Sequence, residues 1–337
     1  MTPLVLVFLR GGADGLALVP PRDPRLRALR PTLHREGAAP LDDRFALHPA
    51  LAPLRPYWDA GRLALVHAIG SGDATRSHFE AQDRMERGDG ASGWLARWAP
   101  RSASPLARVA LGPHLPEALR GARATVFERA EEAGLESAPF TAALRALHGG
   151  GDPLARAGAA ALAALDRLAA LPPAPPGFPA TPLGQRLAEA ARLVRAGVGL
   201  EVACVDHDGW DTHVAQAPLL EGRAGELADA LSAFLEAVGE RATLIALTEF
   251  GRRARENGGL GTDHGRGSVA FVAGAGVRGG QVLARWPGLH ADALEPPGDL
   301  AVTTDYRDLL AAALAARGVD PGPVFPGYGP RELDLFG

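Results

Sequence analysis

The sequence predicts an α/β protein in which one mostly parallel sheet lies between two layers of helices. The first observation is that short apolar runs alternate along the chain with segments whose apolar residues recur at helical spacing. This alternation is typical of strand–helix–strand units, whose strands are parallel. The second observation is that most runs are continuously apolar rather than alternating with polar residues. Such runs suit strands that helices cover on both faces.

The predicted elements follow from these two patterns. The strands are predicted at Leu4–Leu9, Leu63–Ala68, Arg108–Leu111, Leu200–Val205, Thr243–Thr248 and Val269–Ala273. The helices are predicted at Pro49–Ala60, Ser77–Arg87, Pro153–Ala170, Leu183–Ala196, Leu219–Val238 and Tyr306–Arg317. The clearest helical pattern is the fifth, where Leu220, Leu227 and Leu231 recur at helical spacing with charged residues between them.

The chain has 337 residues, which suits about two domains of roughly 150 residues or one large domain with an insertion. We expect a single α/β domain over residues 1–337. Residues 113–180 differ from the rest because they are rich in alanine and helical in pattern. They end in a proline-rich connector, Leu171–Pro182, of the kind that forms a stiff spacer. We therefore predict a helical insertion or cap at 113–180.

The composition excludes several classes of protein. All 35 basic residues are arginine, asparagine occurs once (Asn257), and the formal net charge is −4. Without a basic excess we expect neither a nucleic-acid nor a membrane partner. The single cysteine, Cys204, excludes an internal disulfide framework and a cysteine-ligated zinc site. No run approaches a membrane span, and Leu4–Leu9 lacks the basic flank of a signal peptide, so a cytoplasmic protein is expected.

Polar segments flank the predicted strands at the points where a ligand would bind. They are Arg10–Gly15, Gly70–Phe79, Asp206–His213, Glu249–Arg253 and, before the last strand, Gly261–Gly265. Because ligands of an open parallel sheet bind beyond the carboxyl ends of its strands, we expect these segments to meet at one edge. Four of the ten histidines lie in them, beside carboxylates. Together they predict a carboxylate–imidazole metal site with a hydroxyl nearby.

The strongest local pattern follows the fourth predicted strand, where Asp208, Asp211 and His213 lie close together in sequence. Asp211 and His213 alternate, so in an extended loop their side chains point the same way. Carboxylate oxygen and neutral imidazole are ligands of zinc and other divalent cations, and Asp208 is a competing ligand. The alternative is a loop in which an aspartate caps the following helix.

The segment Thr75–His78 precedes a predicted helix and admits two interpretations. In the functional one, the hydroxyl of Ser77 or Thr75 lies at a helix N-terminus, where the dipole and free N–H groups favour an alkoxide and a bound anion. Arg76 would then clamp a phosphate or sulfate group. In the structural one, the hydroxyl is only the N-cap of the helix.

Three sequence motifs, for nucleotide binding or for nucleophilic catalysis, are not supported by this sequence. Gly274–Gly279 fits the pattern G-x-G-x-x-G, but too few residues follow it for a crossover helix, so a turn is predicted. The pattern G-x-S-x-G is absent, which weighs against a hydrolase triad built on that motif, and no P-loop pattern occurs.

Five segments form an ordered set of motifs over nearly the full chain: Leu4–Leu16, Thr75–Asp83, Gly209–Gln216, Leu247–Gly258 and Gly261–Val269. They resemble the bacterial "domain of unknown function 1501" family, which is grouped with the sulfatase-like, alkaline phosphatase-like superfamily. The resemblance implies a three-layer α/β/α fold of the alkaline phosphatase-like type. It also implies one or two divalent cations (zinc, manganese or magnesium) beside a hydroxyl nucleophile.

The resemblance assigns roles by position. The nucleophile is implied to be Ser77 or, failing that, Thr75. The implied metal ligands are Asp14, Asp208 or preferably Asp211, His213 and His264.

One departure concerns Glu249-Phe250, which stands where the superfamily usually carries Asp-His. Phe250 cannot bind a metal, so one of two metal sites loses its imidazole. Glu249 remains a possible ligand, and His78 or Asp263 is a compensating one.

The function implied is metal-dependent hydrolysis of small anionic phosphate or sulfate esters. Ser77 would attack, Arg76 or Arg10 would neutralise the oxygens, and His78 or Asp263 would move protons. Two alternatives keep the same residues. One is a degenerate member that binds a metal or anion, or scaffolds a partner, without turnover. The other is a phosphomutase.

Overall fold

The fold is described from a computed structural model, in which residues 2–98, 102–133, 135 and 137–337 are described. The strands are β1 Leu4–Leu9, β2 Ala39–Pro40, β3 Ala46–Leu47, β4 Leu63–Gly70, β5 Arg108–Leu111, β6 Thr125–Phe127, β7 Val202–His207, β8 Thr243–Leu247, β9 Ser268–Gly274, β10 Gln281–Leu283, β11 Leu294–Glu295, β12 Asp299–Leu300 and β13 Thr304–Asp305. The α-helices are α1 Gly15–Leu18, α2 Pro24–Leu29, α3 Arg55–Asp59, α4 His78–Arg87, α5 Trp94–Arg97, α6 Ala138–Leu147, α7 Pro153–Ala169, α8 Pro182–Ala196, α9 Gln216–Val238 and α10 Tyr306–Ala315. Short 3-10 helices lie at Pro49–Leu54, Glu117–Leu119, Ala130–Glu132 and Gly239–Arg241.

A nine-stranded sheet forms the centre of the molecule. Its strand order is β10-β4-β9-β8-β1-β7-β5-β6, and β13 also pairs with β4. Strand β9 is antiparallel to its neighbours β4 and β8, whereas the other strand pairs described in this sheet are parallel. The predicted mixed α/β architecture with a large, mostly parallel sheet is therefore confirmed.

Alternate residues of β1 pack into two separate cores. Val5 and Val7 belong to a buried cluster that includes the apolar faces of α8 and α9. Leu4 and Leu6 belong to a second cluster, formed with α5 and α10. Successive side chains of a strand point to opposite faces, so helices cover both faces of the sheet at this strand. This arrangement explains why its sequence is continuously apolar.

The predicted strands and helices are present, with small shifts at their ends. The largest departure is in the predicted helix Pro49–Ala60, which is a 3-10 helix over Pro49–Leu54 followed by α3. Proline at positions 53 and 56 removes backbone N–H donors in this stretch, so one continuous α-helix cannot form. The shortest strands, such as β10 and β13, were not predicted, because two or three residues carry no readable periodicity.

Residues 113–180 are partly sheet rather than wholly helical. They contain α6 and α7, but also β6, which pairs in parallel with β5 at one edge of the sheet. The segment Thr125–Phe127 has β-branched and aromatic residues that favour a strand. The expectation that residues 113–180 are helical throughout is therefore wrong for the stretch that contains β6, because this strand extends the central sheet.

Two further expectations concern motifs and membrane spans. In the described residues Gly274 ends β9, and a turn leads directly into β10, as predicted for the G-x-G-x-x-G pattern. None of the described helices is long and apolar enough to cross a membrane.

Candidate functional site

The candidate site lies at the edge of the sheet where β1, β4, β7 and β8 end. These four strands share one direction, because β4 and β8 are both antiparallel to β9. Strand β9 runs the opposite way, so its beginning lies at this same edge. The segment Gly261–Gly265, which precedes β9, therefore joins the four segments that follow the other strands.

Three histidines and one aspartate converge at this edge. One ligand atom from each of His78, Asp211 and His264 lies within 4.8 Å of the other two. The Nε2 atom of His213 lies 2.9 Å from Nε2 of His264 and 3.0 Å from Oδ1 of Asp211. The Asp211 carboxylate also lies 3.1 Å from Nε2 of His264 and 3.4 Å from Nε2 of His78. We call these four residues the His/Asp cluster.

The other ring nitrogen of each histidine faces an oxygen outside the cluster. Nδ1 of His78 lies 2.8 Å from Oε1 of Glu249, and Nδ1 of His264 lies 2.8 Å from the carbonyl oxygen of Arg76. Nδ1 of His213 lies 3.7 Å from a carboxylate oxygen of Asp263. A neutral imidazole that donates from Nδ1 presents a lone pair at Nε2. In this tautomer, which a bound cation would require, the three Nε2 lone pairs would face the region beside the Asp211 carboxylate.

Two features of the cluster bear on whether it binds a cation. Nε2 of His78 is buried and has no hydrogen-bond partner among the described residues. The Nε2 atoms of His213 and His264 are 2.9 Å apart, and two lone pairs at that separation repel unless a proton or cation is shared. The donor set of three imidazoles and a carboxylate is the type that holds a divalent cation.

Glu249 lies behind His78. It is fully buried, and Oε1 accepts hydrogen bonds from His78, from Gln82 Nε2 at 2.9 Å and from the Gly11 amide at 2.9 Å. Oε2 accepts from the Thr248 hydroxyl at 2.9 Å. Burial would raise the pKa of Glu249, but these hydrogen bonds outweigh burial and lower it. The ionised carboxylate is thus occupied by donors and orients the His78 ring.

Arg252 holds the Asp211 carboxylate. Its fully buried guanidinium places Nη2 2.6 Å from Oδ1 of Asp211 and donates to the carbonyls of Gly12 at 2.8 Å and Thr262 at 3.0 Å. Burial would raise the pKa of Asp211, but hydrogen bonds from Arg252 and His264 lower it to about 2. The cluster therefore contains an ionised carboxylate at neutral pH.

The Gly11-Gly12 pair after β1 lets these loops approach closely. Both residues have positive φ, 116° and 71°. A Cβ atom on Gly11 would lie 2.6 Å from the backbone nitrogen of Asp211, and one on Gly12 would lie 2.6 Å from the Phe250 ring. Side chains at either position would displace the segments that carry the cluster.

More than half of the chain matches a described protein family. A family model described as a protein of unknown function (DUF1501) matches residues 154–337, more than half of the chain. The chain belongs to the DUF1501 family. The family resemblance inferred from the five motifs is thereby confirmed. The matched span includes Asp211, His213 and His264, together with Glu249, whereas His78 precedes it. No curated protein matches the chain.

Asp14, one of the predicted metal ligands, lies outside the cluster of this DUF1501 protein. It is buried, and Oδ2 accepts hydrogen bonds from Arg30 Nη1 at 2.7 Å and from Gln216 Nε2 at 2.5 Å. Oδ1 accepts from the amide of Ala17, so Asp14 is also the N-cap of α1. These contacts are those of a buried structural ion pair. Its partner Arg30 lies outside the five motifs, and Gln216 ends the motif Gly209–Gln216 but was not singled out as a site residue.

The hydroxyls proposed as nucleophiles make local contacts. Ser77 is the N-cap of α4, although the bond from Glu80 N to its hydroxyl is long, at 3.5 Å. Thr75 donates its hydroxyl hydrogen to Asp73 at 2.7 Å. The structural interpretation of Thr75–His78 therefore describes the observed contacts, while Ser77 still immediately precedes His78.

The Arg76 side chain does not face the cluster. Its Nε and Nη2 atoms lie 2.8 and 2.5 Å from Oδ2 of the buried Asp299. The predicted anion clamp is thus engaged in an ion pair, and Arg76 reaches the cluster only through its carbonyl oxygen, which faces His264.

Asp208 and Asp263 have different positions. Asp208 lies on the exposed loop after β7 and lines a separate cavity of about 140 Å³ with His114 and Arg186. Asp263 flanks the cluster and accepts a hydrogen bond at 3.0 Å from Asn257, which also donates to the carbonyl of His213. Asn257 was missed as a site residue. Its signal was present, since the chain's sole asparagine lies within a recognised motif.

Proposed function

We propose that this DUF1501 protein is a metal-dependent hydrolase of phosphate or sulfate esters. The observation that carries the proposal is the convergence of three imidazole Nε2 atoms on one ionised carboxylate, with a buried, unpartnered Nε2 among them. We further propose that the fold belongs to the alkaline phosphatase-like superfamily. A mostly parallel sheet with its polar side chains beyond the carboxyl ends of the strands supports that placement.

The residues fit one divalent cation better than two. His78, Asp211, His213 and His264 would be the ligands, and a set dominated by imidazole favours zinc over magnesium or manganese. Glu249 is saturated by donors, and Asp14 is paired with Arg30, so neither is positioned to complete a second site. When bound, the cation would polarise the ester and stabilise the negative charge that develops in the transition state.

The chain's own residues bind and orient the reacting groups. Glu249 fixes the His78 ring by holding its Nδ1 proton, and Arg252 fixes the Asp211 carboxylate. Ser77 precedes His78 at the N-terminus of α4, where free backbone N–H groups and the helix dipole favour a negatively charged oxygen. Its hydroxyl is held by one long hydrogen bond and is free to turn.

In the proposed reaction, the Ser77 oxygen forms a bond to phosphorus or sulfur while the bond to the leaving alkoxide breaks. The Ser77 proton ends on the leaving alcohol. Water then cleaves the Ser77 ester, releasing phosphate or sulfate and restoring the hydroxyl. One water is consumed for each alcohol released, and no oxidant or reductant is needed.

A second candidate function is binding of a metal or an anion without turnover. It is favoured by the contact between Arg252 and Asp211, because a guanidinium at 2.6 Å competes with a cation for that carboxylate oxygen. Phe250, which stands where the superfamily usually has a histidine, also favours binding without turnover, because phenylalanine cannot bind a metal.

The test measures metal binding and hydrolysis on the same preparations. The protein is stripped with chelator, titrated with zinc, manganese or magnesium by calorimetry, and assayed on nitrophenyl phosphate and nitrophenyl sulfate. We expect one equivalent of zinc to bind and to restore hydrolysis. His264→Ala should lose both, whereas His114→Ala, which changes an exposed histidine outside the cluster, should lose neither.

Three outcomes would contradict parts of the proposal. Absence of metal binding, or equal binding by His264→Ala and wild type, would remove the metal centre. Tight binding without hydrolysis of either ester would favour the second candidate. Full hydrolytic activity in Ser77→Ala would eliminate the proposed nucleophile and leave direct attack by water.

A further inference from the structure

A cavity lined by three arginines adjoins the His/Asp cluster. Its volume is about 670 Å³, which is within the range of pockets that hold small molecules. The charged side chains that line it are Arg25, Arg253, Arg255, Glu256 and Asp263. The remaining wall is largely apolar and includes Leu29, Leu289 and Leu294. The arginines could contact an anionic group of a ligand, and the apolar wall could contact its carbon skeleton.

The two carboxylates in this wall already have partners. Glu256 Oε2 accepts hydrogen bonds from the backbone amides of Thr32 and Leu33, at 3.0 and 3.1 Å, and from the Thr32 hydroxyl at 2.9 Å. Asp263 accepts from Asn257 and lies 3.4 Å from Nη1 of Arg253. Their negative charge is therefore largely compensated by local donors.

The three arginines retain unused donor capacity. Nε of Arg253 has no hydrogen-bond partner among the described residues and lies 3.9 Å from Oδ1 of Asp299. Arg255 is exposed and has no ion pair among the described residues. Arg25 is half-exposed, and its ion pair within the described part of the chain is with its near neighbour Asp23, at 3.2 Å. Guanidinium groups are the side chains best suited to bind phosphate, sulfate or carboxylate groups.

Asp263 connects this cavity to the cluster. It lines the cavity, and its Oδ1 atom lies 3.7 Å from Nδ1 of His213. Asp263 therefore borders both the cavity and the cluster.

We propose that the arginine cavity binds a second anionic group of the substrate, so that the preferred ester carries a further phosphate, sulfate or carboxylate. That this anionic group belongs to a substrate depends on the proposed hydrolase function. Binding of an anion in the cavity does not, and it can be measured in the metal-free protein.

The first experiment is calorimetric titration of the chelator-treated protein with pyrophosphate at low ionic strength. We expect saturable binding to wild type and at least tenfold weaker binding to Arg255→Ala and to Arg25→Ala. Both side chains are at the surface, so these variants are expected to fold. Arg123→Ala is the matched control, because Arg123 is exposed, just precedes the edge strand β6 and does not line the cavity. It should bind pyrophosphate as wild type does.

The second experiment compares kcat/KM for an ester with one anionic group and for one with two. Wild type should prefer the doubly anionic ester, and Arg255→Ala should reduce that preference through KM. Equal pyrophosphate affinity in Arg255→Ala and Arg123→Ala, or no binding by wild type, would overturn the inference. Hydrolysis without preference for the doubly anionic ester would overturn it and leave the hydrolase intact. Pyrophosphate binding that depends on Arg255, without any hydrolysis, would refute the hydrolase and retain the anion site.

Discussion

Nδ1 of His78 lies 2.8 Å from Oε1 of Glu249, although the two residues are 171 positions apart in the chain. The contact joins the first turn of α4 to the segment that follows β8. Glu249 is fully buried, whereas the His78 side chain is 23% exposed, so the carboxylate is the fixed partner and the imidazole is the oriented one. The hydrogen bond raises the pKa of His78 and assigns the Nδ1 proton to the side away from the cluster.

Glu249→Gln should weaken zinc binding by about 10–100-fold, which is the usual effect of losing the group that orients a histidine ligand. A neutral amide orients the imidazole less strongly and does not increase its basicity. The affinity is measured by competition with a chromogenic chelator. Glu80→Gln, which changes an exposed acid in the same helical turn, is the control and should bind zinc normally.

The metal-free proteins separate positioning from folding. If Glu249→Gln lowers zinc affinity while its melting temperature without metal stays near that of wild type, Glu249 acts as a positioning residue. Unchanged zinc affinity in a folded variant would show that His78 needs no such partner.

Asp14→Ala should destabilise the protein by about 3–5 kcal/mol, because the buried Arg30 loses its ion-pair partner. The folded fraction should still bind zinc with wild-type affinity, since Asp14 lies outside the cluster. Urea unfolding and zinc titration provide the two measurements. Glu221→Ala removes an exposed ion pair with Arg35 and should cost no more than about 1 kcal/mol. Loss of zinc binding by folded Asp14→Ala would restore Asp14 as a ligand.

The central sheet was predictable because its main strands are buried on both faces. The runs Leu4–Leu9 and Arg108–Leu111 match β1 and β5 residue for residue. Their short lengths and the apolar residues that fill Leu4–Leu9 and Val109–Leu111 favour buried strands. Strand β6 was not predictable in the same way, since three residues at a sheet edge, only one of them buried, leave no pattern.

The sequence could predict which residues of the cluster lie near one another, because the order and direction of the strands determine where the segments that follow them lie. Residues that follow parallel strands must gather at one edge, so His78, Asp211 and His213 were expected together. The roles of Asp14 and Glu249 were not readable, because a carboxylate in a motif can face a metal, a buried arginine or a histidine nitrogen. Only the three-dimensional partners, such as Arg30 for Asp14, distinguish these cases.

Gly12→Ala should destabilise the protein by more than about 2 kcal/mol. The new Cβ would lie 2.6 Å from the Phe250 ring, and φ at this position is 71°, which is strained for alanine. Gly222→Ala is the matched control, because its Cβ meets nothing within 4 Å and lies within α9. That change should stabilise the protein by about 0.5–1 kcal/mol. Urea unfolding of both variants is the measurement, and equal stability of the two would refute the steric argument.

His67 should make the free energy of unfolding depend on pH between about 4 and 6.5. The ring is fully buried in β4, Nε2 lies 2.9 Å from the carbonyl oxygen of Val19, and Nδ1 accepts from the amide of Ala68 at 2.8 Å. Only the neutral ring, protonated at Nε2, satisfies both contacts. Burial is the main reason that the pKa of His67 falls from its ordinary 6.5 to about 4.

Below pH 6.5 the unfolded chain binds a proton at His67 that the folded protein rejects, so stability is full above 6.5 and is lost as the pH falls toward 4. The difference of 2.5 pKa units corresponds to about 3 kcal/mol. Urea unfolding of wild type and His67→Phe, both with chelator, measures this loss over pH 4–7.5. Phenylalanine keeps the stacking on Phe45 and removes the titrating group. The free energy of unfolding of wild type relative to His67→Phe should therefore fall by about 3 kcal/mol between pH 7.5 and pH 4. A difference between the two proteins that is constant with pH would show that His67 does not couple folding to protonation.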